Sequence, residues 1–359
     1  MKSSTGQYFV GLDHVRALAV FMVFAWHFIH IHSGHRADPP IFPLSILTEG
    51  HTGVALFMTL SGYLFAKLLN GKNINYPSFI WNRILRLAPL LILVILLAAL
   101  KFYLQGGDIV AYFKFIQGGL IKPVLPNGGW SITVELHFYL ILPLLLFMSR
   151  KSRYLPLAFI GGMIILRLYL YHINGTVQFY SYYTIIGRID QFVFGILAYQ
   201  YRDYIKGRHF MALATLLVFA SFYTYVDTLG GFYSHYPFGS KYAVWAVVGT
   251  IEGFAYSLLI AWYDNSFHHS TGRISRFIAL IGTYSYSIYL LHTFYVFDLP
   301  KFFDARILDL SNIYVALIVS PFFMLLMMPV AWVSYNYVEL PFLRFRTKYI
   351  KDENPDKTL

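Results

Sequence analysis

The sequence predicts an all-α, polytopic membrane bundle of about ten transmembrane helices with both termini on the cytoplasmic side. Three observations carry that expectation. Of 359 residues, 57% are hydrophobic and only 13% charged, which is too apolar for a soluble domain of this size. The apolar residues fall into continuous runs of about 20, the length an α-helix needs to cross a bilayer, and not into the short alternating strands of a membrane barrel. Basic residues collect in every second interval between these runs, on the side of the amino terminus, as the positive-inside rule requires.

Taken in order, the candidate spans are 8–32, 51–70, 87–105, 132–149, 154–172, 183–201, 209–227, 241–263, 275–297 and 312–337. The first carries no small-residue cleavage site after its apolar stretch, so it is read as a retained span and not a removed signal peptide. A loop around Pro39, Pro40 and Pro43 follows it. No loop is long enough for a second folded domain, so residues 1–350 are taken as one membrane domain and 351–359 as a polar cytoplasmic tail. The net charge of +11 is spread between spans and not gathered on one soluble surface, which argues against nucleic acid as a partner. With no cysteine there is no disulfide, thiolate ligand or cysteine nucleophile.

Ionisable residues inside apolar spans are costly and mark functional candidates. The first span holds Asp13, His14, Arg16 and His27. On a helix, the eleven residues from Arg16 to His27 make about three turns, which puts both on nearly one face about 16 Å apart. Asp13, three residues before Arg16, is spaced to pair with it. By depth, Asp13, Arg16, Arg83 and Arg86 form an expected inner basic cluster, whose guanidinium forks suit phosphate oxygens. His27, Glu135, Arg167, Arg188, Asp190 and His292 form an expected outer polar set. A neutral imidazole oriented by a carboxylate is a usable general base, so His27 with Glu135 is the candidate catalytic pair. Gly128 and Gly129 before Trp130 suggest a tight turn at the outer end of the fourth span, with Ser131 as its helix cap. His27, His30, His32 and His35 match no metal-ligand spacing, and no metal is expected.

Six stretches, in order along nearly the whole chain, carry a family resemblance: Asp13-His14-Val15-Arg16 with His27; Gly53 through Gly62-Tyr63-Leu64; Arg83-Ile84-Leu85-Arg86 with Pro89; Trp130-Ser131 with Glu135 and Tyr139; Ser287-Ile288-Tyr289-Leu290-Leu291-His292; and Glu339-Leu340-Pro341-Phe342. Together they resemble the acyltransferase-3 family of integral membrane O-acyltransferases. The resemblance implies a ten-helix enzyme of the bacterial inner membrane. It would take an acyl group, commonly acetyl, from cytoplasmic acyl-CoA and place it on a carbohydrate hydroxyl at or beyond the outer face. It implies Arg16 and His27 as the essential pair, supported by Ser131, Glu135, Arg83 and Arg86; Trp130, Arg188 and His292 are taken besides as substrate-binding or supporting positions. Leu136 and His137 depart from the family pattern after the glutamate, so no role carries over there. Some relatives carry a fused extracytoplasmic esterase-like domain. No such domain is seen in this chain, so delivery is expected to finish within the membrane or pass to a separate protein. Direct transfer and an acyl-histidine intermediate both remain open. The rival expectations are a glycan or small-anion transporter, whose charges would line a translocation path, and a structural partner in an envelope synthase complex.

Overall fold

A computed structural model describes residues 8–33, 40–70, 72–234, 239–297, 299–304 and 307–351. The expected tail beyond residue 351, His35 and Pro39 lie outside the described residues, as does the side chain of His32. The spans form helices α1 (Val10–Ser33), α2 (Gly53–Leu69), α3 (Tyr76–Leu104), a short interfacial α4 (Ile109–Ile116), α5 (Trp130–Lys151), α6 (Tyr154–Asn174), α7 (Ile185–Gln200), α8 (His209–Thr228), α9 (Trp245–Ser266), α10 (Arg273–Thr283), α11 (Ser285–Val296) and α12 (Ile313–Leu326), which continues through short helical turns to Leu343. Asn75 starts α3 by accepting from the Ser78 amide, with Pro77 in the first turn, where a missing N–H costs nothing.

Eight helices among the described residues are long and apolar enough to cross a membrane, and α10 with α11 passes the same test as a pair bent by 67°. The remaining expected span, 183–201, differs: its helix α7 has only 16 residues and buries Arg188, Asp190 and Gln191. Polar side chains held inside the bundle let a short helix run through it without meeting lipid. A second difference concerns α3, which begins eleven residues before the expected boundary of 87. Arg83 and Arg86, which precede the expected span, therefore stand inside its helix.

Hydrogen bonds between chain-distant segments show which helix ends share a face. Arg150 Nη2 donates to Leu69 O at 3.1 Å, Lys67 bridges to Asp264 at 2.6 Å, and His14 bonds Tyr263 and the Ser275 carbonyl at 2.8 and 2.9 Å. On this basic face a two-residue antiparallel pair joins β1 (Asn73–Ile74) to β2 (Ile350–Lys351), and Asn82 holds Thr347 through both its amide and its carbonyl, at 3.0 and 2.6 Å. The carboxyl-terminal segment is thereby strapped beneath α3.

Helices α1 and α2 form the buried centre, whereas α3, α6, α8 and α12 present Leu96, Leu100, Ile165, Val218, Ile318 and Phe322 outward, as a lipid-facing ring requires. Close packing at the centre depends on two glycines. A Cβ on Gly62 would stand 2.1 Å from Phe192 O, and one on Gly195 would stand 2.1 Å from Thr59 O, so α2 and α7 touch backbone to backbone.

Two fully buried arginines lock α7 to its neighbours. Arg167 reaches Asp190 at 2.7 Å, Thr250 Oγ1 at 2.8 Å and the Ala246 and Ile186 carbonyls at 2.7 and 3.0 Å. Arg188 reaches Glu252 at 3.2 Å and the Tyr182 carbonyl at 2.8 Å, while Gln191 and Tyr223 donate to the same glutamate. Breaking such a pair leaves a buried charge uncompensated at a cost of about 3–5 kcal/mol. Arg167→Leu is therefore expected to lower the thermal midpoint in detergent steeply; an unchanged midpoint would show that the pair is dispensable.

Candidate active site

Two cavities among the described residues lie end to end along α1. The first, of about 220 Å³, opens toward the basic face and is lined by Asp13, Arg16, Arg83, Arg86, Ser131, Glu135, Tyr139, Tyr286 and Arg346 among others. The second, of about 410 Å³, lies toward the opposite face and holds His27 and His292 among Trp26, Trp130, Tyr182, Tyr183, Phe232 and Tyr233. Val54 and Tyr289 line both and form a shared wall.

In the basic cavity the expected Asp13–Arg16 pair is present, and α1 carries both residues near its amino-terminal end. Arg86 bonds Glu339, which a π-helical turn over Tyr335–Glu339 brings to it and which also accepts from Ser287. Arg83 and Arg346 each keep a buried Nε with no hydrogen-bond partner among the described residues. Burial and the neighbouring charges of Arg83 and Arg86 pull Arg346 down to about 10. Four guanidiniums, those of Arg16, Arg83, Arg86 and Arg346, thus face three carboxylates, Asp13, Glu135 and Glu339, a net excess of positive charge that an anionic ligand would neutralise. Sequence reasoning missed Arg346 as a site residue. Its signal was available, since it follows the Glu339-Leu340-Pro341-Phe342 stretch, but only the strap at Thr347 turns it inward.

Glu135 corrects an expectation. It belongs to the basic cavity, accepts from Tyr139 one turn along α5 and feels the charges of Arg83, Arg86 and Arg16. It does not share the chamber of His27. The reason is its depth: five residues into α5 from Trp130, it sits about 7.5 Å inside the helix end and on the other side of the Val54–Tyr289 wall. Arg167, Arg188 and Asp190 also leave the expected outer set, because their partners are the interhelical bonds described above. Arg188 does lie over the Tyr182 ring, 4.2 Å from its centroid, and so supports the chamber wall from behind. Ser131 is not a helix cap: its hydroxyl donates to the Gly128 carbonyl, and Gly129 precedes the helix. The expected tight turn is present, with Asn127 and Gly128 at φ of 53° and 78°.

In the aromatic chamber His27 meets His292, with Nδ1 and Nε2 3.2 Å apart and ring centroids at 4.6 Å. His27 Nδ1 also lies 2.9 Å from the Val23 carbonyl. A carbonyl only accepts, so Nδ1 carries the proton and Nε2 keeps its lone pair. Trp26 packs against His27 at 4.5 Å and stacks on Tyr233 at 5.4 Å, with its indole Nε1 unpartnered among the described residues. Trp130 and Tyr182 meet at 4.9 Å on the facing wall. Stacked ring faces with spare hydrogen-bond donors suit a polyhydroxylated ring, whose C–H faces are apolar and whose edges are polar. Among the described residues no cluster of three histidines and carboxylates is arranged to hold a metal ion.

The family model for the acyltransferase domain matches residues 9–336. The chain belongs to that family. Parts of the acyltransferase domain are also similar to curated relatives: 27% identity over 172 residues with the peptidoglycan O-acetyltransferase of Listeria monocytogenes, covering 40% of this chain and 25% of the relative. A putative O-acetyltransferase of Staphylococcus aureus shares 28% over 200 residues, covering 47% of this chain and 31% of the relative. The matched part is thus about a third or less of those relatives' length. No solved structure matches the acyltransferase domain.

Proposed function

We propose that this protein is an O-acyltransferase that takes an acyl group, acetyl in the simplest case, from acyl-CoA entering at the cytoplasmic, basic face and esterifies a hydroxyl of an envelope carbohydrate entering from the other side of the bacterial inner membrane. The observation that carries the reading is the pairing of two cavities of opposite chemistry across one shared wall, arginines on one side and histidines with aromatic rings on the other. The domain family and the O-acetyltransferase relatives support it.

The basic cavity holds the phosphates of the donor, with Arg83, Arg86 and Arg346 as charge partners and Arg16 fixed by Asp13. The pantetheine arm then runs along α1, where Arg16 and His27 are about 16 Å apart, to bring the thioester to the wall at Tyr289. In the chamber His27 Nε2 takes the proton of the acceptor hydroxyl, and the oxygen attacks the thioester carbonyl. The tetrahedral intermediate collapses with cleavage of the C–S bond, and His27 returns its proton to the departing thiolate, giving ester and free CoA. A translocation path is less consistent with this bundle, since Arg167 with Asp190 and Arg188 with Glu252 form buried ion pairs between helices.

Purified protein in detergent, given radiolabelled acetyl-CoA and envelope glycan, is expected to yield base-labile labelled glycan. Failure to label any glycan, together with failure to bind any acyl-CoA, would sink the acyltransferase reading in favour of transport.

A further inference from the structure

We infer that His292 is a positioning residue that fixes the tautomer and aim of His27, doing for it what the expected glutamate does not. The inference rests on the acyltransferase reading above only for what His27 does, not for how its ring is held.

The argument starts at the Tyr289 backbone. Its carbonyl accepts from His292 Nδ1, one helical turn along α11. That bond puts the proton of His292 on Nδ1 and leaves Nε2 as an acceptor. His292 is 2% exposed and its Nε2 faces His27 Nδ1 at 3.2 Å, so the only consistent direction for this bond is from His27 Nδ1–H to His292 Nε2. The Val23 carbonyl shares the same proton. Two acceptors on one side of the His27 ring then exclude the other neutral tautomer, because an Nε2–H form would face both acceptors with a bare Nδ1. The reactive nitrogen is left unprotonated and turned away from both.

The relay is tied to the wall between the cavities through the same tyrosine. The Tyr289 hydroxyl donates to Gly128 O at 3.1 Å, and a Cβ on Gly128 would approach the Tyr289 ring and hydroxyl at 2.9–3.0 Å. Gly128, already at a φ of 78°, is the residue that lets the tyrosine lie flat against the turn. Side chain and carbonyl of one residue therefore place the wall and the base together.

Two measurements test the inference. In protein labelled with ¹⁵N-histidine, the resonance lost in His27→Asn should show the Nδ1–H tautomer; finding the Nε2–H form overturns the inference whether or not any activity is detected. Kinetically, losing a partner that orients a reactive imidazole typically costs about 10- to 100-fold. His292→Ala should lose that factor in kcat with KM for acetyl-CoA within about twofold, because His292 is remote from the basic cavity. His292→Gln, which can still accept from His27 through its amide oxygen, should recover to within about tenfold of the parent. Wild-type kcat in His292→Ala, or no recovery in His292→Gln, overturns the inference. If His292→Ala does not fold, the glutamine variant and the tautomer decide. A parent protein that binds acyl-CoA but transfers nothing would count against the proposed reaction and leave the tautomer measurement standing.

Discussion

His27→Ala is expected to lower acyl transfer by about 10²- to 10⁴-fold, the contribution of a positioned general base, while acyl-CoA still binds. The separation of the two cavities is the reason to expect both halves of that result. His27 lines the aromatic chamber and takes no part in the basic one, where the arginines lie. Its Nδ1 is occupied by Val23 and His292, so the ring has one nitrogen free to move a proton and no other described imidazole is placed to replace it in that orientation. His30, the nearest histidine along α1, bonds the Trp26 carbonyl through Nδ1 and is buried. Single-turnover transfer from labelled acetyl-CoA, paired with equilibrium binding of the same donor, separates the two effects. Transfer at the parental rate would remove His27 from the chemistry.

Arg83→Ala and Arg346→Ala should produce the opposite pattern, weakening donor binding with little effect on the transfer step once the donor is bound. Both side chains bring an unpartnered buried donor to the cavity, and a hydrogen bond to a charged group contributes about 1.5–3 kcal/mol, or about 10- to 100-fold in affinity. Part of that loss is offset because removing one guanidinium relieves its repulsion with the others, most visibly for Arg346 beside Arg83 and Arg86. The double variant should therefore lose more than the product of the single losses, because the repulsion between Arg83 and Arg346 can be relieved only once. Affinity should also fall with added salt more steeply in the parent than in either variant. Arg86 is a different case: it holds Glu339, and its removal strands a buried carboxylate, so Arg86→Ala is expected to impair folding before binding can be read. If acyl-CoA affinity is unchanged in the Arg83 and Arg346 single variants, the basic cavity is not the donor site.

Much of this arrangement was legible in the sequence where the signal is local. Apolar runs set the spans, and the spacing of Asp13, Arg16 and His27 on one helix survives because α1 is a single unbroken helix. What could not be read was which side of a wall a residue faces. Glu135 and His27 sit at similar nominal depths on different spans, yet Tyr289 and Val54 fall between their cavities, a fact fixed by packing of α11 and α2 against the start of α5. Asp190 and Arg188 looked like chamber residues for the same reason. Their partners, Arg167 and Glu252, lie 23 and 64 positions away in the chain, and no local pattern announces such pairs. Arg346 was hidden by a third cause, since a basic residue after a last span is what the positive-inside rule produces in any case.

The strap at the basic face bears on the order in which this protein can become competent during synthesis. Residues 344–351 reach α3 and β1 only after every span has been made, through the Asn82–Thr347 bonds and the pairing of Ile350 with Ile74. A ribosome-bound chain that has inserted everything up to Leu343 thus has its bundle and its aromatic chamber but not Arg346, the fourth arginine of the basic cavity. The basic cavity therefore takes its full set of arginines only after the last described helix has been inserted.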